Sequence, residues 1–470
     1  MIKLRDWQTR CVKQALNIYQ SQTHFLCLAT PGAGKTVMAS ELAMRLYEQD
    51  KIDFILCFSP STEVNESIQQ TFSKRFKRRF NGLIGAIGGV YTYQSMPSLS
   101  DEVWQLIRCH NVFVIMDEIH HLKGTEVGNA NAWGEEVLIN IQNQASYTLA
   151  LSGTPWRSDN APIVLSTFTE PDNTIHCDFI YGLKEAIADG VCREPKIVLI
   201  DNNKINLESN NLQESFSSIE QLLSKSKVSF QGLITHPKIM EYMLGEGVNK
   251  LNEIREHNPK AGGLVIATSI QHAKQLHHIL VDKLKQTASI VTSKVQHPSL
   301  IIDNFRHSKV QWIVSVGMVS EGTDIPRLQV CCHLSRIKTE MHYRQVLGRI
   351  LRVTDDKDQQ AWLFTLAEKS LTEFAYRINQ DLPEKTVVFE KSISDELDLT
   401  SEKSYDPEPK TTFDLNLNLD LTQAKKPVNP PQNLSDIDEE NLYNLTLLGG
   451  FKEKIVKMFD THLGSSQYFT

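Results

Sequence analysis

The sequence predicts an α/β chain of two tandem lobes, each a parallel sheet covered by helices, followed by an acidic, largely flexible C-terminal tail. Apolar runs at 25–28, 54–58, 112–116 and 148–151 alternate with helical stretches, and the alternation resumes at 263–267, 289–291, 312–316, 329–334 and 361–364. Runs with no polar alternation suit strands buried on both faces, and strands separated by helices suit a parallel sheet. At 470 residues the chain exceeds what one core usually supports. The tail follows from charge. Residues 391–440 hold twelve Asp/Glu against five Lys/Arg, which equals the whole chain's formal net charge of −7, and they include five prolines.

In chain order, the first informative element is Ala29-Thr30-Pro31-Gly32-Ala33-Gly34-Lys35-Thr36, between an apolar run and an amphipathic stretch. A strand turning through small residues into a helix aims several backbone N–H groups at one spot, which the helix dipole also makes favourable to anions. This is a phosphate-binding loop, with Ala29 where the usual pattern begins with Gly. Lys35 can reach the outer phosphates, and Thr36 can take a place on Mg²⁺. Next, Val112–Met116 ends in Asp117-Glu118. An acidic residue at a strand end beside a phosphate loop suits holding Mg²⁺, the role expected of Asp117. Glu118 is then left to orient and deprotonate water. Near 350, Arg349 and Arg352 stand three apart, a spacing that puts both on one face of a helix. Two such guanidinium groups suit either charge developing on a γ-phosphate or an ordinary charged helix face.

In this order the three resemble motifs I, II and VI of the superfamily 2 helicases and translocases. Other segments are similar to further motifs. Leu4-Arg5-Asp6-Trp7-Gln8 resembles the N-terminal segment whose glutamine reads adenine, Ser59-Pro60-Ser61 motif Ia, and Thr92-Tyr93-Gln94-Ser95 the Thr-Tyr-Gln segment of many DNA-acting members. Leu151-Ser152-Gly153-Thr154-Pro155 resembles motif III, Ser320–Pro326 motif V, and Tyr181–Ile187 the linker between lobes. The form is most similar to bacterial DEAH-type proteins allied to the translocating subunits of type I and type III restriction enzymes. Ile119 and Gly153 depart from the usual alanines, but neither position touches phosphate or metal.

The resemblance implies two RecA-like lobes with ATP between them. Catalysis is expected from Lys35, Glu118, Gln345, Arg349 and Arg352. Nucleotide contacts are expected from Arg5, Gln8, Thr30, Pro31, Gly32, Ala33, Gly34, Lys35, Thr36, Gly322 and Asp324, and Mg²⁺ contacts from Thr36 and Asp117. His120, Ser152 and Thr154 are expected to couple the nucleotide to the lobes, and Ser59, Thr92, Gln94 and Ser269 to grip nucleic-acid phosphates without reading sequence. The expected division is lobe 1 at 1–185, a linker and first strand at 186–204, a mainly helical addition at 205–258, and lobe 2 at 259–370. An acidic linker at 371–440 and a short terminal helix at 441–470, a candidate docking element for a partner, complete the chain.

Lys74-Arg75-Phe76-Lys77-Arg78-Arg79-Phe80 reads in two ways, as a phosphate-contacting patch beside motif Ia with stacking aromatics, or as a basic face paired with acidic surface. The acidic segment is likewise a solvated linker that packs little apolar surface, or a strap over the nucleic-acid groove. Eight cysteines lack any Cys-x-x-Cys pair and suit small buried hydrophobes in a reducing compartment. With no run of eighteen apolar residues and no signal-like start, a soluble, cytoplasmic protein is expected. The function expected is an ATP- and Mg²⁺-dependent DNA helicase or double-strand translocase in phage defence, restriction or repair. The alternatives are a nucleic-acid-stimulated ATPase switch that recruits a partner, and an RNA helicase. No nuclease motif is evident, so any cutting would come from another chain.

Overall fold

The computed structural model describes residues 3–124, 130–153, 163–169, 174–209, 212–292, 294–317, 325–354, 360–379 and 444–457. Lobe 1 comprises α1 (Asp6–Ile18), β1 (His24–Ala29), α2 (Lys35–Glu48), β2 (Phe54–Ser59), α3 (Thr62–Phe76), β3 (Gly88–Thr92), α4 (Asp101–Cys109), β4 (Val112–Asp117), α5 (Ala132–Asn140) and β5 (Tyr147–Ser152). A small hairpin, β6 (Thr167–Thr169) and β7 (Thr174–His176), then precedes β8 (Phe179–Tyr181) and α6 (Leu183–Ala188). The sheet order is β3-β2-β4-β5-β1-β8, and every pair is parallel. The middle strands are buried nearly end to end, which is why they read as unbroken apolar runs. Helices cover both faces with apolar stripes such as Trp7, Cys11, Val12 and Ala15 of α1, and Met38, Ala39, Leu42, Ala43 and Leu46 of α2.

Lobe 2 begins with β9 (Glu194–Asn202), followed by the hairpin β10 (Ile205–Ser209) and β11 (Leu212–Phe216), then α7 (Ile219–Lys225), α8 (Phe230–Ile234) and α9 (Pro237–His257). It continues through β12 (Gly262–Ala267), α10 (Ile270–His278), β13 (Ala288–Val291), α11 (Pro298–His307), β14 (Trp312–Ser315) and β15 (Leu328–Leu334). It ends with α12 (Glu340–Ile350), β16 (Gln360–Leu366), α13 (Lys369–Asn379), β17 (Asn444–Leu447) and β18 (Phe451–Lys457). The sheet order is β13-β14-β12-β15-β16-β9-β18, parallel except for β18. The fold is therefore α/β with two RecA-like lobes. Among the described residues, no helix is long and apolar enough to cross a membrane.

Three expectations change. Ile205–Ser209 and Leu212–Phe216 pair as antiparallel strands before the helices of the 205–258 addition. Residues 371–379 belong to α13, whose Leu371, Ala375 and Ile378 are buried, rather than to a linker; residues 380–443 lie outside the described residues. Most of all, the segment expected as a terminal helix contains two strands. Gly449-Gly450 breaks any helix there, and β9 and β10 supply unpaired edges. β17 runs antiparallel to β10 and β18 antiparallel to β9 over seven residue pairs. The turn between them is fastened to the β9–β10 turn by Asn202 Nδ2 donating to Gly449 O (3.0 Å) and by the amides of Leu448 and Gly449 donating to Lys204 O. Leu447 and Val456 enter the core, and Phe451 stacks on Tyr242 with centroids 4.0 Å apart.

A chain ending at residue 443 is therefore expected to melt lower by on the order of 5–10 °C, because it uncovers the β9 edge and two core side chains. Thermal unfolding followed by circular dichroism checks this. An unchanged midpoint would show that the strands add no stability.

Candidate nucleotide site between the lobes

The phosphate loop leaves β1 at the carboxyl end of the sheet and enters α2. Gly32 (φ 83) and Gly34 (φ 93) both take left-handed backbone there, a conformation without steric cost for glycine. The N-cap Gly34 offers no side-chain cap, so the first amides of α2 face outward. The N-terminal segment braces this loop directly. Arg5 Nη1 donates to Ala33 O (2.7 Å), and Gln8 Nε2 donates to Gly34 O (3.0 Å) while its Oε1 accepts from the Arg5 amide (2.9 Å). Gln8, expected to read adenine, is buried against the loop. Trp7 stacks on Tyr181 (4.8 Å), and the Thr30 amide donates to Tyr181 O (3.0 Å).

Lys35 Nζ lies 3.3 Å from Glu118 Oε1 and 3.3 Å from Ala29 O, its side chain only 10% exposed. Glu118 Oε2 accepts from the Gly153 amide (3.3 Å) and lies 3.5 Å from His120 Nδ1, which also meets Ser152 Oγ at 3.1 Å. The acidic strand end and the segment after β5 are thus one hydrogen-bonded unit. Glu118 has φ 52, an uncommon conformation for a residue with a side chain. Burial and the charge of Glu118 push the Asp117 carboxyl up, against Lys35. Burial also opposes charge on Glu118, but Lys35, His120, the Gly153 amide and His121 outweigh it and hold that carboxyl well below its usual range. Asp117 Oδ1 is buried with no hydrogen-bond partner. A carboxylate oxygen in that state suits a cation, and Mg²⁺ takes few protein ligands.

Lobe 2 meets this loop through α12 and the residues after it. An added Cβ at Gly348 would lie 2.6 Å from Pro31 Cβ, and one at Gly32 would lie 3.2 Å from Arg352 Cγ. Gln345 and Arg349 are half-buried on α12. Arg352 does not share a helix face with Arg349 as expected, because α12 ends at Ile350 and Arg352 forms an isolated antiparallel bridge with Cys192. Burial lowers the Arg352 guanidinium to about 10, so it still carries its charge at neutral pH. Sequence reasoning passed over Arg193. Fully buried, it donates from Nη1 to Leu328 O (3.0 Å) and Pro326 O (3.2 Å) and from Nη2 to Thr354 Oγ1 (2.9 Å), while its amide donates to Leu351 O (2.7 Å). Nothing in its sequence neighbourhood marks it.

The expected nucleic-acid contacts divide. Thr92 ends β3 and exposed Gln94 follows it, while exposed Ser269 follows β12, where it caps α10 by accepting from the His272 amide. All three sit at carboxyl ends of their sheets. Ser59 is a correction: it is fully buried, its hydroxyl bonded to Asn65 Oδ1 (2.6 Å) and Ser61 O (3.1 Å). The basic run is another. β2 and β3 are parallel, so α3 carries Lys74, Arg75, Lys77, Arg78 and Arg79 to the opposite end of the sheet, away from residues 59–61. Phe76 and Phe80 are buried with Phe72 rather than available for stacking, and Arg75 pairs with Glu41 (2.8 Å). Thr154, Gly322 and Asp324 lie outside the described residues.

Residues 1–157 match the family described as type III restriction enzyme, res subunit, and residues 246–354 match the helicase conserved C-terminal domain. An uncharacterised protein of Mycobacterium leprae is 28% identical over 369 residues, covering 74% of this chain and 59% of its own length. A DNA 3'-5' translocase, XPB2 of Sulfurisphaera tokodaii, is 23% identical over 403 residues, covering 79% of this chain and 83% of its own. The chain thus spans about three-fifths of the mycobacterial relative. Among solved structures, a fragment of a putative HsdR subunit of a type I restriction enzyme from Vibrio vulnificus superposes with a TM-score of 0.54 at 16% identity. That match covers 81% of this chain and 67% of the fragment.

Gly348→Ala is expected to hold α12 off Pro31 while leaving each lobe folded. A displacement of about 1 Å at a reacting centre costs on the order of 10²-fold. Steady-state ATP turnover should therefore fall at least about tenfold with little change in melting temperature. Normal turnover would show that this approach is not used in catalysis.

Proposed function

We propose that this chain, which belongs to the superfamily 2 helicases, is an ATP-driven motor that moves on DNA as a helicase or double-strand translocase. The observation that carries the reading is the contact of the phosphate loop with lobe 2 at Pro31–Gly348 and Gly32–Arg352. A γ-phosphate bound by the loop would lie beside Arg352 of the other lobe, so lobe closure and hydrolysis would depend on each other. DNA is favoured over RNA because XPB2, similar over most of this chain, is a DNA translocase. Thr92, Gln94 and Ser269, at the carboxyl ends of both sheets, are suited to hold a strand by its phosphates.

The chemistry proceeds through this chain's own groups. The first amides of α2 and the Lys35 side chain receive the phosphates. In doing so Lys35 leaves Glu118, which it contacts at 3.3 Å in this structure. The freed Glu118 carboxylate, still fixed by the Gly153 amide, accepts a proton from the water that attacks the γ-phosphorus, and ADP leaves with the bond to that phosphorus broken. Arg349 and Arg352 face charge that grows as the bond breaks, and Gln345 helps to place the water. Thr36 and Asp117 would hold Mg²⁺, which when bound neutralises phosphate charge. Ser152 and His120 link Glu118 to the end of β5 and carry the nucleotide state outward.

Lys35→Ala is expected to abolish turnover, and Glu118→Gln to retain bound ATP while turnover falls by at least about 10². Equilibrium nucleotide binding beside steady-state rates tests both. Near-normal turnover in Glu118→Gln would remove the residue from its role as base.

Arg349→Ala and Arg352→Ala should each lower kcat by about 10³ with a smaller effect on KM, since their contacts strengthen in the transition state. A raised KM with unchanged kcat would make them binding groups only. ATPase assays with duplex DNA, single strands and RNA, run beside strand displacement, test the motor reading. Turnover indifferent to all three would overturn it.

A further inference from the structure

We infer that Tyr93 is a positioning residue that ties nucleic-acid contact at residues 92–94 to the orientation of Asp117 and Glu118; the inference rests on the motor reading above. Tyr93 opens a short 3-10 turn, Tyr93–Ser98, directly after β3, and is fully buried. Its Oη donates to the Asp117 carbonyl at 2.7 Å. That carbonyl belongs to the peptide joining the two carboxylate residues, so its rotation would redirect both side chains. Beyond it stands Glu118 with its left-handed backbone, a conformation that persists only where surrounding contacts impose it. The Tyr93 hydroxyl is one such contact.

The other end of Tyr93 is tied to the surface. Gln94 is exposed and donates from Nε2 to Pro60 O (3.1 Å), and Ser95 Oγ donates to Thr92 O (2.7 Å). The segments after β2 and β3 are thus joined at the sheet end expected to meet a strand. The Tyr93 ring stacks on Trp133 (6.3 Å, 20° between planes) and lies 6.4 Å from His121, so it moves with its neighbours rather than swinging alone. Displacement of residues 92–94 by a bound strand reaches the Asp117–Glu118 peptide through one rigid side chain. A tyrosine that merely fills the core would support both catalytic states equally. One that transmits binding favours the nucleic-acid-bound state.

Tyr93→Phe keeps the ring and removes only the hydroxyl. The full chain and the variant are assayed for ATP turnover with and without a single-stranded or duplex DNA oligonucleotide, and for melting temperature. The stimulation ratio is expected to fall about fivefold in the variant, the scale of one such hydrogen bond, with KM for ATP and the melting temperature near those of the parent. If both rates fall by one factor and the ratio survives, Tyr93 is structural and the inference is overturned. A parent chain not stimulated by nucleic acid overturns the motor reading and this inference together, whereas a stimulated parent with an equally stimulated variant overturns the inference alone. Trp133→Leu, which loosens the ring but spares the hydroxyl, should lower the ratio by a smaller factor; an unchanged ratio there removes the rigid ring from the argument.

Discussion

A lysine ammonium held almost out of water needs a counter-charge, and much of this architecture follows from where Lys35 finds one. Its partner is Glu118. Two unit charges about 4 Å apart attract by about 4 kcal/mol at an effective dielectric near 20, while desolvation offsets much of that gain. The pair is therefore a holding arrangement rather than a source of stability. It keeps the carboxylate ionised and keeps the ammonium at the mouth of the loop. The Gly153 amide and His120 hold the other oxygen of Glu118.

The lobes are joined through buried polar contacts. Arg193, at the start of the second sheet, binds carbonyls before and within β15 and the hydroxyl of Thr354. Its amide is bonded to Leu351, beside Arg352. The linker, the entrance of β15 and the exit of α12 therefore form one buried polar knot. Cys192, the preceding residue, is near enough for its Sγ to approach Pro31 O at 3.6 Å. The linker thus touches the phosphate loop through Cys192 and is paired with the segment that carries Arg352.

Much of the fold was legible because parallel strands buried on both faces are long, unbroken apolar runs. β3 was not. It begins Gly88-Gly89, and an added Cβ at Gly88 would lie 2.0 Å from Ile55 O, so close backbone approach selected glycine over the usual strand formers. The phosphate loop and the acidic strand end carry their chemistry in adjacent residues and were readable. Arg193 works by burial among carbonyls distant in sequence, which no local pattern encodes. The basic run misled because charge was weighed before spacing: Phe72 and Phe76 stand four residues apart, as on a helix face turned inward, and Phe80 packs on Phe72 from beyond the end of α3. The final strands were missed for lack of sequence-local information, since their partners were completed some 240 residues earlier.

That separation bears on how the protein is made. β9 emerges from the ribosome roughly 250 residues before β18, which at 5–20 residues per second is a delay of roughly 13–50 s. Lobe 1 is built from contiguous sequence and can finish in that interval. Lobe 2 spends it with a long strand edge unpaired, the kind of surface that recruits foreign strands. The nascent chain thus passes through a stage in which its first half is complete and its second half is vulnerable, and synthesis of its last described strand brings that stage to an end.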